Sequence, residues 1–415
     1  MACLIWQSLI TTFGLILAAT GAILGFYVFP NIVTKKIADS FQLTNGSDAF
    51  ERWMNTPTPV YMKIYFFNIS NPQDVKNGGA PIVKEIGPYV YDLIKSKVDI
   101  AEENDNLTYY QRQLFHFNQD SSGCHKEDDV IVVANLPLMK NKTEEKSYKI
   151  NSGVKNIKLL GEIIEWNNST KISAWNDNGT CNNVYGSDSM LFPPYVTENT
   201  NITVFQSDIC RTVYLDFENR SKYKGLSSIK FVESNMLTSG ATFSNNKCFC
   251  VNETKGILGE DGCLLDGAME LQTCLNTPVV LTFPHFFKAH TKYQNGVLGV
   301  NPNKTLHETF VELEPKTGVV LRGAKRVQFN IFYRKIKHAK LTDKLNETLM
   351  PVLWIDEGIE LEDKYVDRLN EQLFSILMML DKIEWALIGV GLLVSIIGFM
   401  TFFIVVKINL RKSGG

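Results

Sequence analysis

Charge is absent from the first 34 residues, and no sign dominates the 415-residue chain, where 42 Lys and Arg stand against 44 Asp and Glu. Without a basic excess there is no bulk positive field for a nucleic-acid partner, and none is expected. Internal repeats, low-complexity tracts and Pro- or Ser-rich linkers are missing too, so nothing splits the middle of the chain into separate domains. Catalytic signatures are equally scarce. No Gly-x-Ser-x-Gly elbow, His-Glu-x-x-His pair or Gly-Lys-Ser/Thr loop occurs. Ser227–Ser228–Ile229–Lys230 fits Ser-x-x-Lys and Lys316–Thr317–Gly318 fits Lys-Thr-Gly, but the Ser-Asp-Asn element of such an acyl-enzyme site is absent. The six histidines are scattered, none at metal spacing. His285 reads as a satisfied core histidine. No enzyme activity, cofactor or metal is expected.

Two long apolar runs are present. Leu4 to Phe29 is uncharged, and Trp385 to Val406 is uncharged between Glu384 and Lys407. Each exceeds the roughly 20 residues that carry a helix across hydrocarbon. The first has neither the charged n-region nor the short apolar core of a cleaved signal peptide. Between them lie twelve Asn-x-Ser/Thr sequons, at Asn45, Asn68, Asn106, Asn141, Asn167, Asn168, Asn178, Asn201, Asn219, Asn252, Asn303 and Asn346. Their concentration there implies passage through the secretory pathway. Seven of the eight cysteines lie in the same stretch, which suits an oxidising compartment. The basic residues Lys407, Arg411 and Lys412 suit a cytoplasmic flank. The expected layout is a cytoplasmic 1–3, spans at 4–29 and 385–406, an extracellular or lumenal domain at 30–384, and a cytoplasmic tail at 407–415.

Alternation dominates that domain. Val327, Phe329, Ile331 and Tyr333 share one face of a strand; Val311 and Leu313 oppose Glu312 and Glu314. Pro315 and Gly318 supply a turn before Val319–Val320–Leu321. Tyr61–Phe67 and Val279–Phe283 read as further strands. Helical spacing appears mainly at the flanks of the apolar runs, at Val33, Ile37 and Phe41 and at Val366, Leu369, Leu373, Ile376 and Leu380. The fold class expected is α+β: one large antiparallel β domain with accessory helices. The Cys-x-Cys spacing of Cys248 and Cys250 does not suit a structural zinc site, so disulfides are favoured, but spacing does not choose their pairing. Cys124, the odd lumenal cysteine, reads as a free buried thiol, with an intermolecular bridge as the less favoured alternative.

The order of motifs resembles the class B scavenger receptors, the family of the fatty-acid translocase, the lysosomal integral membrane proteins and the sensory neuron membrane proteins. The matching pieces are Tyr65–Asn68 into Asn71–Pro72, Gly87–Tyr91, Phe192–Pro194, Ser207–Arg211, Cys248–Cys250, Phe283–Phe286, Asn301–Asn303, Ala324–Arg326 and Pro351–Trp354. The resemblance implies bridges Cys181–Cys248, Cys210–Cys274 and Cys250–Cys263, and a β-barrel pierced by an apolar tunnel with a helical bundle at its apex. It places Asp99 near the tunnel entrance. Only residues 138–161 join the strand ending near 135–137 to the segment around Glu162–Trp166, so most of the apical bundle is expected to be missing.

The function this implies is a cell-surface scavenger-type receptor that binds lipids or lipoproteins and passes fatty acid or sterol to the membrane. The alternatives are a lysosomal or endosomal trafficking receptor for a lysosomal enzyme and, less favoured, a ligand-gated channel subunit. The expected partners are the membrane, long-chain fatty acids, sterols or lipoproteins. A homo-oligomer through the Gly21/Gly25 stripe is a further expectation, as small residues let helices approach closely. Cys3, at the inner edge of the first span, is a palmitoylation candidate, with an unmodified thiol as the alternative.

Overall fold

The computed structural model describes residues 2–56, 58, 60–134, 146–175, 180–250, 263–335 and 339–413. It divides into two compact units, one of Met1–Ser40 with Glu362–Gly415 and one of Phe41–Leu361.

The first unit is helical. Helix α1 (Ala2–Ile23) passes through a π-helical turn, Leu24–Val28, into α2 (Phe29–Phe41). At the other end Asp363–Leu369 passes through a second π turn, Asn370–Phe374, into the C-terminal helix Ser375–Ser413. Ile5–Phe41 and Ser375–Arg411, 37 residues each, are both long and apolar enough to cross a membrane. At 1.5 Å per residue each is about 55 Å long against roughly 30 Å of hydrocarbon. They therefore extend beyond the apolar runs read from the sequence and take in Lys35, Lys36, Asp381 and Lys382.

Glycine sets the spacing between the two long helices. A Cβ on Gly14 would lie 2.5 Å from the Ser395 backbone nitrogen and 2.6 Å from the Gly391 carbonyl oxygen. A Cβ on Gly21 would lie 2.8 Å from Leu387 Cβ, and one on Gly25 would overlap the Glu384 side chain. Ser395 Oγ donates to the Thr11 carbonyl at 3.2 Å. The Gly21/Gly25 stripe, expected to serve self-association, instead packs against the chain's own C-terminal helix. Intramolecular pairing is favoured because the second helix is always present at high effective concentration.

The second unit is an antiparallel, barrel-like sheet. Its strands are β1 (Val60–Ile69), β2 (Val83–Glu103), β3 (Asn106–Phe117), β4 (Ser147–Asn151), β5 (Ile163–Trp166), β6 (Ile202–Gln206), β7 (Arg211–Tyr223), β8 (Leu226–Glu233), β9 (Ala268–Glu270), β10 (Val280–Thr282), β11 (Phe310–Leu313), β12 (Val320–Tyr333) and β13 (Thr348–Glu360). The pairing order is β5-β4-β3-β2-β1-β13-β12-β11-β8-β7-β6, with β9 and β10 attached to β12. Residues 186–187 bridge the two ends. Ile163 N donates to the Gly186 carbonyl at 2.8 Å, Ser187 N to that of Thr203 at 2.8 Å, and Phe205 N to that of Ser187 at 2.9 Å. Gly186 has φ of +99°, and a Cβ there would stand 2.9 Å from the Thr203 carbonyl. Only glycine suits that closure.

The alternation read from the sequence holds on β12, but the polar face is the deeper one. Gln328 and Asn330 are completely buried, while Val327, Phe329 and Ile331 are half-buried beside neighbouring core clusters. The polar side chains satisfy one another and the adjoining strand. Asn330 Nδ2 donates to the Val280 carbonyl at 2.9 Å and to Thr282 Oγ1 at 3.0 Å, and Gln328 Nε2 donates to Asn330 Oδ1 at 2.7 Å. Glu312 and Glu314 are also buried, Glu312 paired with Arg322 at 2.7 Å and Glu314 accepting from the Thr317 amide and hydroxyl. Between β3 and β4 the described residues hold a single four-residue helix, Gln119–Ser122. Residues 135–145, where the apical bundle is expected to be lost, lie outside the described residues.

Candidate functional site

Helix α3 (Asp48–Met54) begins where Ser47 Oγ accepts from the Phe50 amide at 3.1 Å. Its inner face carries Phe50 and Trp53, both buried. Helix and hairpin meet through a bridge between Asn55 and Ser96. Opposite lies the β2–β3 hairpin, whose register slips between Val98 and Ala101. Asp99 sits in that bulge with φ of +52°. A bulge bends its strand and re-aims the side chains beside it. Here it opens a cavity of about 510 Å³ lined by Asn45, Phe50, Met54, Lys97, Val98, Asp99, Ile100, Glu102 and Leu107. That volume falls in the range of small-molecule sites, ~300–1,000 Å³. Phe50, Lys97 and Leu107 are buried, whereas Asn45, Asp99 and Glu102 are exposed. The mouth is thus polar and the interior apolar, with one buried cation.

Lys97 was not singled out from the sequence. Lys95–Ser96–Lys97 reads as a solvated strand face, and only the packing of α3 over the hairpin reveals that Lys97 is enclosed. Its Nζ lies 5.4 Å from the centre of the Trp53 ring. Burial pulls its pKa below the ordinary lysine value, with Asp188 opposing and Lys95 adding to the fall. Lys95, by contrast, is paired with Glu357 at 2.5 Å, and Lys325 joins the same carboxylate at 2.8 Å. Burial pushes Glu357 up, but Lys325 and Lys95 outweigh it and hold the carboxyl well below the usual range.

A second polar cluster gathers several of the sequence motifs. His285 Nδ1 accepts from the Asn301 amide at 3.0 Å, so the ring proton sits on Nε2 and is donated to Glu85 Oε2 at 2.6 Å. Trp354 Nε1 donates to the same oxygen at 2.7 Å. His307 stacks on His285 with ring centres 4.6 Å apart, and its Nδ1 accepts from the Asn303 amide at 3.0 Å. Phe67 packs edge-on to His285, and Tyr65 stacks on Trp354 at 4.0 Å. Burial favours a higher Glu85 pKa, yet the bonds from His285 and Trp354 outweigh it and hold the carboxylate ionised. Burial, aided by His285, lowers His307 to about 4. His285 is thus a satisfied core histidine, with both ring nitrogens engaged by protein partners.

A sequence model of the CD36 family matches residues 12–144 and 138–402. The chain belongs to the CD36 family. Its class B scavenger-receptor relatives include Sensory neuron membrane protein 2 of Anopheles gambiae, 28% identical over 97% of this chain and 93% of that protein. Sensory neuron membrane protein 1 of Pediculus humanus subsp. corporis is 30% identical over 88% of this chain and 86% of its own length. Lysosome membrane protein 2 of Homo sapiens is 26% identical over 88% of each. The Anopheles alignment runs to 540 positions against 415 residues here, so more than a hundred of its positions face gaps in this chain. The two stretches matched to the CD36 family meet at 138–144, within the interval where the apex is expected to be shortened.

The remaining residues singled out from this CD36-family sequence fall as follows. Cys181 is bonded to Cys248, Cys210 to Cys274 and Cys250 to Cys263. Arg211, next to Cys210, is buried, with its guanidinium 3.6 Å from the Phe249 ring centre and Nη2 donating to Asn246. Cys124 is free but exposed, not buried as expected. It follows Gly123 (φ +63°) in a polar loop that supplies no apolar cover. Asn45, Asn167, Asn168, Asn201, Asn219, Asn303 and Asn346 are exposed, and Asn68 and Asn106 half-buried. Asn141, Asn178 and Asn252 lie outside the described residues, as does the side chain of Cys3. Lys230 of the Ser-x-x-Lys match is engaged by Glu218 at 2.6 Å and Glu308 at 3.3 Å.

Proposed function

We propose that the protein is a scavenger-type receptor that takes a lipid into the α3–hairpin cavity and passes it toward the bilayer in which its terminal helices sit. The observation that carries this reading is the cavity itself: about 510 Å³, walled by Phe50, Met54, Val98, Ile100 and Leu107, with a polar mouth at Asn45, Asp99 and Glu102. Each methylene removed from water contributes about 0.8 kcal/mol, so an acyl chain of even modest length is a substantial ligand for such walls. Membership of the CD36 family and two helices able to span a membrane support a receptor held at a membrane. In this reading Asp99 marks the entrance, 30–384 faces the exterior or a lumen, and both ends lie in the cytoplasm. Likeness to a lysosome membrane protein supports a second reading, an endosomal or lysosomal trafficking receptor.

The test is binding of saturated fatty acids of increasing length to the full chain in lipid nanodiscs, corrected for protein-free discs. Affinity should rise about tenfold per two methylenes until the cavity is filled. A flat dependence on length would remove the lipid-binding reading.

A further inference from the structure

We propose that Lys97 anchors the carboxylate of an acyl-chain amphiphile lodged in the α3–hairpin cavity, making the site selective for a fatty acid over its neutral derivatives. This rests on the lipid-binding reading and specifies the chemistry of its ligand.

The argument begins with an unbalanced charge. Lys97 is only 5% exposed, yet no carboxylate among the described residues lies within ion-pair distance and no acceptor is bonded to it. Asp188, whose charge reaches it, is already committed, with Oδ1 accepting from the amides of Met190 and Leu191 at 3.0 and 3.2 Å. A buried ammonium left without a partner costs several kcal/mol, and lysines are rarely enclosed in this way unless paired. Trp53 presents its ring 5.4 Å from the ammonium, a contact that supplies no acceptor. Among the described residues lining the cavity Lys97 is the one basic group, and a carboxylate provides the charge and the acceptor it lacks.

The rest of the lining selects the remainder of the ligand. Phe50, Met54, Val98, Ile100 and Leu107 offer an apolar surface for a hydrocarbon chain, and Met adapts readily to irregular shapes. Asp99 and Glu102 at the mouth are exposed and repel an anion that remains there. A carboxylate is therefore held only where Lys97 holds it, which excludes small polar anions that bring no hydrocarbon. A neutral ester or alcohol of the same length would meet the same walls but leave the ammonium unpaired.

The discriminating experiment measures tritiated palmitate and tritiated methyl palmitate on the full chain in nanodiscs, with protein-free discs as blank. Palmitate should bind about 10–100-fold more tightly than its ester, the range of a hydrogen bond to a charged group. Lys97→Met should abolish the preference, with palmitate binding no more tightly than the ester, while Lys97→Arg keeps it. Removing an unpaired buried charge does not weaken the fold, so the thermal midpoint of Lys97→Met should equal or exceed that of the parent. Should that variant fail to fold, the acid-to-ester ratio of the parent and of Lys97→Gln decides. Equal binding of acid and ester by the parent, or an undiminished preference in Lys97→Met, would overturn the anchor while leaving lipid binding intact. Absence of binding by both probes would instead overturn the lipid-binding reading itself.

Discussion

At the scale of single residues, the cluster around Glu85 shows polar side chains that are enclosed and matched. Glu85 accepts from both His285 and Trp354, and His307 stacks alongside as a neutral ring. Because the folded pKa of His307 is about 4 against 6.5 unperturbed, the unfolded chain binds protons more readily between those values. The stability linked to His307 is fully present above about pH 6.5 and is lost as pH falls through 4; the lowered Glu85 acts in the same sense at still lower pH. Glu233 opposes them: burial raises it to about 7, so its contribution is present at low pH and lost as pH rises through 7. Over pH 4–6.5 the two contributions largely offset one another in the parent, so the expected outcome is read as a difference: relative to the parent, His307→Gln should gain about 1–3 kcal/mol of stability as pH falls from 6.5 to 4. A stability difference that does not change with pH would show that the ring does not titrate as its surroundings require.

Elements are positioned here by close backbone approaches more than by propensity. Gly391 is the clearest case in the helical unit: a Cβ there would crowd the Ala18 amide and stand 2.7 Å from the Gly14 carbonyl. Replacement by Leu should separate the two long helices at this point at a cost of about 1–3 kcal/mol, the usual penalty of overpacking. Oxidative cross-linking between cysteines introduced at Thr11 and Ser395, efficient in the parent background, should be lost in Gly391→Leu. Cross-linking of equal efficiency would mean the helices do not pair along this face. The elements themselves were readable from the sequence. The runs around Tyr61–Phe67, Val279–Phe283 and Val327–Tyr333 lie in β1, β10 and β12 because period-two alternation reflects the geometry of an extended chain. Which face of β12 is deeper was not readable. Val327, Phe329 and Ile331 look like the inner face by hydrophobicity, but β10 docks on β12 and supplies Val280 and Thr282 as acceptors, so Gln328 and Asn330 are enclosed at little cost.

For the whole molecule, the decisive property is sidedness. If residues 30–384 lie outside the cytosol, the exposed thiol of Cys124 should react with a membrane-impermeant maleimide on intact cells expressing a Cys3→Ser background. Glycosidase treatment should lower the apparent mass of the same protein. Labelling that appears only after permeabilisation would place this domain in the cytosol and end the receptor reading.

The sequence by itself determined the apolar runs, the sequons, the strand-forming alternation and the motif order shared with the CD36 family, because each is a local pattern or an ordered set of local patterns. Tertiary structure alone decided what those patterns meet. The Gly21/Gly25 stripe faces the chain's own second helix, Cys124 is exposed, and Lys97 is enclosed under α3 opposite the bulge at Asp99. Enclosure of a side chain depends on segments far away in the chain, and no periodicity within β2 encodes the arrival of a helix from residues 48–54.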